Sequence, residues 1–111
     1  MNTNIHTIEP NTLKGWLDAK KALLIDVREA SEYNAEHIPG SIHLPLSTFN
    51  PNDIVNKENK MIIFQCRLGR RSLDAATKFS SSTNQETYSL LGGIVAWKES
   101  GFSTTSSQDT L

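Results

Sequence analysis

The chain has 111 residues, enough for one domain with a core that can fold alone. Hydrophobic residues make up 37% and charged residues 21%, which argues against disorder. With 11 basic and 12 acidic residues the net charge is −1, so there is no electrostatic case for nucleic acid or an anionic membrane as a general partner.

Met1 to His6 is polar, without the apolar run of a signal peptide, and no segment approaches the roughly 18 apolar residues of a membrane-spanning helix. The single cysteine, Cys66, cannot form an internal disulfide. Together these lead to the expectation of a reducing, cytoplasmic setting.

Along the chain, Pro10 and the stripe Leu13, Trp16 and Leu17 predict a helix from about Asn11 to Lys20. Three later segments share one grammar: a short apolar run, a polar or glycine-containing turn, then a helical pattern. Ala22 to Ile25 leads through Asp26-Val27-Arg28 into a helix-like Glu29 to Glu36. Met61 to Phe64 leads through the Cys66 loop into Leu73, Ala75, Ala76 and Phe79 at helical spacing. Tyr88 to Leu91 leads through Gly92-Gly93 into Ile94 to Glu99. Between the first two, Ile38-Pro39-Gly40 reads as a turn before a short strand near Ile42 to Leu44. Apolar runs without alternation suit strands buried on both faces, and their alternation with helices predicts an α/β fold with a parallel sheet. The domain is expected over residues 1–103, and the hydroxyl-rich stretch 104–111 reads as a disordered tail.

In an open α/β sheet, ligands bind beyond the carboxyl ends of the strands. Asp26 to Arg28, the Cys66 loop and Gly92-Gly93 all follow strand ends, so they are expected along one edge. In the loop, Cys66-Arg67-Leu68-Gly69-Arg70-Arg71-Ser72, the coming helix supplies a partial positive charge and free N–H groups. Arg67, Arg70 and Arg71 add full charges, and Gly69 lets the backbone curl its amides inward as an anion nest. These features favour thiolate over thiol and suit an anionic persulfide as well. A lone cysteine after an apolar strand is ordinarily a core residue, but a core residue needs neither arginines nor glycine. Cations at a helix N-terminus oppose the macrodipole, which points to an anionic ligand. Arg71 is the best candidate to turn inward; Arg67 and Arg70 could sit at the rim and steer anionic donors.

The sequence resembles the rhodanese family, from about Thr7 to Phe102, in three ordered motifs. Leu24-Ile25-Asp26-Val27-Arg28, with Glu32-Tyr33 and His37-Ile38-Pro39-Gly40-Ser41, is similar to its first signature. The Cys66 to Ser72 segment is similar to its active-site loop, and Leu90-Leu91-Gly92-Gly93-Ile94-Val95-Ala96-Trp97 to its C-terminal signature. The resemblance implies a single-domain α/β protein, with a small parallel sheet of about five strands flanked by helices on both faces. It implies a thiosulfate sulfurtransferase without cofactor or metal. Cys66 would attack the sulfane sulfur of a small anionic donor such as thiosulfate, and cyanide or a thiol would take the sulfur from the persulfide. The amides from Arg67 to Arg71, with Leu68, Gly69 and Arg70 between them, would form the cradle. Arg71 would fix the loop or bind substrate, while Asp26, Arg28 and Ser72 would support it. Ala35-Glu36, where the family often has a glycine, and Gln65, in place of a frequent aromatic, are departures that bear on substrate preference.

Other readings make different demands. A cysteine phosphatase of related design needs arginine one position further on, which here is Ser72, so the shorter loop fits sulfur better than phosphate. A persulfide carrier or regulatory module, exchanging sulfur with a sulfur-carrier protein, is the alternative of a different class. His37 is expected to serve the Ile38-Pro39 turn rather than catalysis. His6 and His43 lack metal-ligand spacing, and Trp16 and Trp97 read as core. Gly92-Gly93 could serve a tight turn or a close backbone approach at the edge of the site.

Overall fold

The structure, a computed structural model, describes residues 4–107. In chain order it contains β1 (Ile5–Ile8), α1 (Pro10–Asp18), β2 (Ala22–Asp26), α2 (Ala30–Ala35), β3 (Ile42–His43) and two 3-10 turns (Leu46–Thr48 and Pro51–Asp53). Then follow β4 (Met61–Gln65), α3 (Arg70–Thr83), β5 (Thr87–Leu90) and α4 (Gly93–Glu99). The five strands form one parallel sheet in the order β1-β5-β4-β2-β3.

Because strand side chains alternate between faces, the central apolar runs feed two cores at once. Ile62 and Phe64 point to the α3 side, where they meet Ala75, Ala76 and Phe79. Ile63 points to the opposite side, with Leu13 of α1 and Ile94 and Trp97 of α4. Helices thus cover both faces of the sheet, and none among the described residues is long and apolar enough to cross a membrane.

Helix α1 begins on Pro10, whose fixed φ suits a first helical residue. It stops two residues before the expected Lys20, which has φ +60° and turns the chain into β2. Trp97 is buried, as its helical position requires, and its indole N–H donates to the Ser103 carbonyl at 2.8 Å. Trp16 is half-buried, packing edge-on against Tyr88 with ring centroids 5.1 Å apart.

Two features differ from the sequence expectation. Strand β1 has no apolar run to announce it, since His6 and Thr7 are exposed. It is a strand because it lies at the sheet edge, in register with β5 from Ile5 opposite Thr87 to Ile8 opposite Leu90. Where a tail was expected from Thr104, the chain is hydrogen-bonded as far as Ser107. His37 and Thr105 exchange backbone bonds of 2.8 Å, the Ser107 N–H donates to the Asn34 carbonyl, and Thr104 Oγ1 donates to Glu36. Asn34 of α2 and the Glu36–His37 segment that follows it hold these hydroxyl-rich residues despite their lack of apolar periodicity; 108–111 lie outside the described residues.

Candidate active site

The carboxyl ends of β2, β4 and β5 converge, as strand order and parallel direction demand. Asp26 lies opposite Gln65 in register, and the Val27 N–H donates to the Gln65 carbonyl at 2.9 Å. Cys66 follows Gln65 at the end of β4. It is only 1% exposed, and its sulfur accepts N–H bonds from Gly69 at 3.0 Å and Ser72 at 3.4 Å. Gly69 is the N-cap of α3 with φ +111°, a conformation open to glycine, and this bend brings its amide back toward the sulfur. Ser72 is the third residue of α3, so its amide has no partner within the helix and is free to point at an anion.

The cradle is therefore drawn differently from the expected run of amides from Arg67 to Arg71. One of its two donors, Ser72, lies beyond that run because the helix begins at Arg70 and its first turn delivers the third amide. The Ser72 side chain takes part as well. Its Oγ lies 3.5 Å from Cys66 Sγ, donates to the Gly69 carbonyl at 3.1 Å, and lies 2.7 Å from Ser89 Oγ.

The three arginines separate by environment. Arg67 and Arg70 are exposed at the rim, as is Leu68 at 60%. Arg71 is half-buried, but its guanidinium makes a bidentate pair with Glu32 of α2, at 2.7 and 3.0 Å, instead of touching the sulfur. Glu32 is set for this by the capping box of α2, in which its carboxylate also accepts the Glu29 N–H at 3.0 Å. One carboxylate thus ties the start of α2 to the start of α3, and holds a fixed positive charge beside the loop. The Arg71 guanidinium is pushed to a still higher pKa, chiefly by the bonds to Glu32, with a smaller contribution from Cys66.

In return, Glu32 is held down to about 2 from an ordinary 4.5, chiefly by its hydrogen bond from Arg71. A carboxylate whose folded pKa is depressed contributes stability above its unfolded pKa and loses it as pH falls through the folded value. Unfolding midpoints measured from pH 5 down to pH 2 are expected to fall more steeply for the native protein than for Glu32→Gln, with the difference concentrated between about 4.5 and 2. Parallel profiles would show that this pair contributes nothing to folding.

Asp26 and Arg28 form a separate, buried pair, with the guanidinium at 3.0 and 2.8 Å from the two carboxylate oxygens. Arg28 also donates to the Glu36 carbonyl at 2.6 Å, so the pair braces the connection from β2 through α2. Each charge is already satisfied, which suits a scaffold role and leaves neither group free to react. His37 is likewise engaged: its Nδ1 lies 2.8 Å from the Tyr33 carbonyl, and its ring stacks on Tyr33 at 3.9 Å.

Gly93 decides between the two readings of the glycine pair. A Cβ there would lie 2.3 Å from the Arg67 carbonyl oxygen and 2.4 Å from that of Cys66. The Cys66 and Arg67 carbonyls accept the N–H groups of Ile94 and Val95, so the backbone of the active loop rests directly on the start of α4. Close approach is what Gly93 provides. Gln65 adds a second brace by donating its side-chain amide to the Cys66 carbonyl at 2.7 Å.

Glu32 and Ser89 were not singled out as site residues from sequence. A signal existed for Ser89, a small polar residue inside the apolar run from Tyr88 to Leu91. For Glu32 the signal was its place three residues after Glu29, at the start of a helix.

Comparison with known proteins gives the family. The rhodanese-like domain family matches residues 9–100. An uncharacterised protein of Synechocystis is 36% identical over 102 residues, 92% of this chain, which spans 56% of that protein's length. The thiosulfate sulfurtransferase GlpE of Coxiella burnetii is 30% identical over 88 residues, covering 78% of this chain and 82% of GlpE. The crystal structure of a rhodanese-related protein from Thermoplasma volcanium superposes with a TM-score of 0.77 at 28% identity, over 90% of this chain and 97% of that one. The match runs through the loop that encloses Cys66 and through both strand ends that brace it, and this chain belongs to the rhodanese-like domain family.

Proposed function

We propose that the protein is a sulfurtransferase that carries sulfane sulfur as a persulfide on Cys66. Family membership and a relative named thiosulfate sulfurtransferase support sulfur transfer as the reaction class. The observation that carries the reading is the Cys66 sulfur held at the start of α3 by the Gly69 and Ser72 amides. Preorganised N–H donors around a sulfur stabilise its anionic forms, both the attacking thiolate and the persulfide that replaces it.

In the first half-reaction the thiolate attacks the outer sulfur of thiosulfate, the S–S bond of the donor breaks, and sulfite leaves with the electron pair. In the second, cyanide or a thiol attacks the terminal sulfur of the Cys66 persulfide. The Cys66–S bond breaks, thiocyanate or a new persulfide forms, and the thiolate is restored. The thiol acceptor could be a small molecule or a group on a sulfur-carrier protein. Arg67 and Arg70, exposed at the mouth, would draw in an anionic donor, while Arg71 keeps the loop closed through Glu32.

Intact-mass measurement after incubation with thiosulfate tests this directly. A gain of one sulfur atom on the protein is expected, reversed by cyanide. Arg71→Ala is expected to slow the gain more than Arg67→Ala, since it frees the loop as well as removing a charge. No sulfur gained, with hydrolysis of an aryl phosphate instead, would overturn the reading in favour of a phosphatase.

A further inference from the structure

We propose that Ser89, on β5, is a positioning residue that aims the Ser72 hydroxyl at the anionic form of Cys66. The inference rests on Cys66 being the nucleophile, and deepens that reading by naming what tunes it. Ser72 Oγ stands among three groups: Cys66 Sγ at 3.5 Å, the Gly69 carbonyl at 3.1 Å and Ser89 Oγ at 2.7 Å. Both serines are buried, Ser72 fully and Ser89 to 1% exposure.

A hydroxyl has one proton to donate. In the thiol state the Ser72 proton goes to the Gly69 carbonyl, so the proton in the 2.7 Å contact belongs to Ser89, and the S–H of Cys66 points at Ser72 Oγ. When Cys66 ionises, its proton passes to solvent water and Ser72 is left presenting lone pairs to a negative sulfur. The arrangement is relieved when the Ser72 O–H turns from the Gly69 carbonyl to the sulfur. Ser89 stays a donor throughout. It occupies a Ser72 lone pair, fixes the oxygen in place, and polarises the O–H that the anion needs.

The test is the titration of Cys66, the only cysteine, followed by the ultraviolet absorbance of its thiolate against a Cys66→Ser reference. Ser72→Ala is expected to raise the midpoint by about one pH unit, the scale of one hydrogen bond to a charged group. Ser89→Ala is expected to raise it by about 0.3 to 0.5 unit, or roughly two- to threefold less thiolate below the midpoint. In the Ser72→Ala background, Ser89→Ala is expected to add nothing, because its effect passes through Ser72. The pair Ser89→Thr and Ser89→Val, alike in shape, isolates the hydroxyl from packing, and only valine is expected to shift the midpoint. The nearby charges, Arg67 and Arg70 at the rim, Arg71 with Glu32 on α3 and α2, and the Asp26–Arg28 pair at the end of β2, are common to all these variants. An unshifted midpoint in Ser89→Ala, equal shifts in both backgrounds, or equal midpoints for threonine and valine would overturn the proposal. The titration needs no sulfur donor, so its failure is separate from a failure of sulfur transfer.

Discussion

Replacing Cys66 with serine is expected to abolish the thiosulfate-dependent mass gain and to reduce thiosulfate:cyanide sulfur transfer by at least about a thousandfold, as loss of a catalytic nucleophile does. A neutral serine hydroxyl at this position is a poor nucleophile, and among the described residues no base is placed to activate it. His37 is spent on the Tyr33 carbonyl and the Asp26 carboxylate on Arg28. The fold is expected to survive. Serine is slightly smaller than cysteine, and its oxygen can accept the same Gly69 and Ser72 N–H groups, so the change in stability is expected to stay within about 1 kcal/mol. Sulfur-transfer rates alongside thermal unfolding check both halves. Appreciable turnover in Cys66→Ser would remove the persulfide from the mechanism. Lost turnover with a collapsed fold would instead return Cys66 to the role of a core residue.

Gly93→Ala is expected to be the most damaging single methyl group that can be added to this protein. The new Cβ would lie 2.3 Å from the Arg67 carbonyl oxygen and 2.4 Å from both the Arg67 carbonyl carbon and the Cys66 oxygen. All three are backbone atoms, so no side-chain rotation relieves the contact. Residue 93 also has φ +60°, which alanine adopts only at a cost. Strain and overpacking together are expected to cost about 2–4 kcal/mol of stability. What remains folded must move the Cys66–Arg67 peptide away from α4, and with it the sulfur relative to the Gly69 and Ser72 amides. Denaturant unfolding and the rate of persulfide formation are both expected to suffer. Gly40→Ala, whose Cβ would meet nothing within 4 Å at a comparable φ of +84°, is the control that separates strain from contact. If both alanines cost the same, the approach of the loop to α4 carries no special weight.

Much of this architecture was legible in the chain because its signals are local. Unalternating apolar runs at Ala22, Met61 and Tyr88, each followed by a turn and a helical stripe, specify a parallel sheet covered on both faces. The same order puts Asp26, Cys66 and Gly92-Gly93 at one edge. The composition of the Cys66 loop, with Gly69 at its bend and arginines around a helix start, marks it for an anion. Strand β1 escaped because a polar edge strand is defined by its partner: Ile5 to Ile8 take their conformation from pairing with Thr87 to Leu90.

Side-chain partnership across elements is not a local property, and only the tertiary structure settles it. Three neighbouring arginines are alike in sequence, yet among the described residues Arg71 alone of the three meets a carboxylate, because packing of α2 beside α3 sets Glu32 39 residues away opposite it. Ser89 reaches Ser72 only because β5 lies beside β4. Thr104 to Ser107, polar and without periodicity, are held by the Glu36 carboxylate and by backbone groups of Asn34 and His37. The amino-acid sequence by itself determined the fold class and placed the Cys66 loop at the carboxyl edge of its sheet. The packing of helices α2 and α3 and strand β5 decided which groups hold that residue ready, since hydrogen bonds and charges act over distances that residue order does not encode.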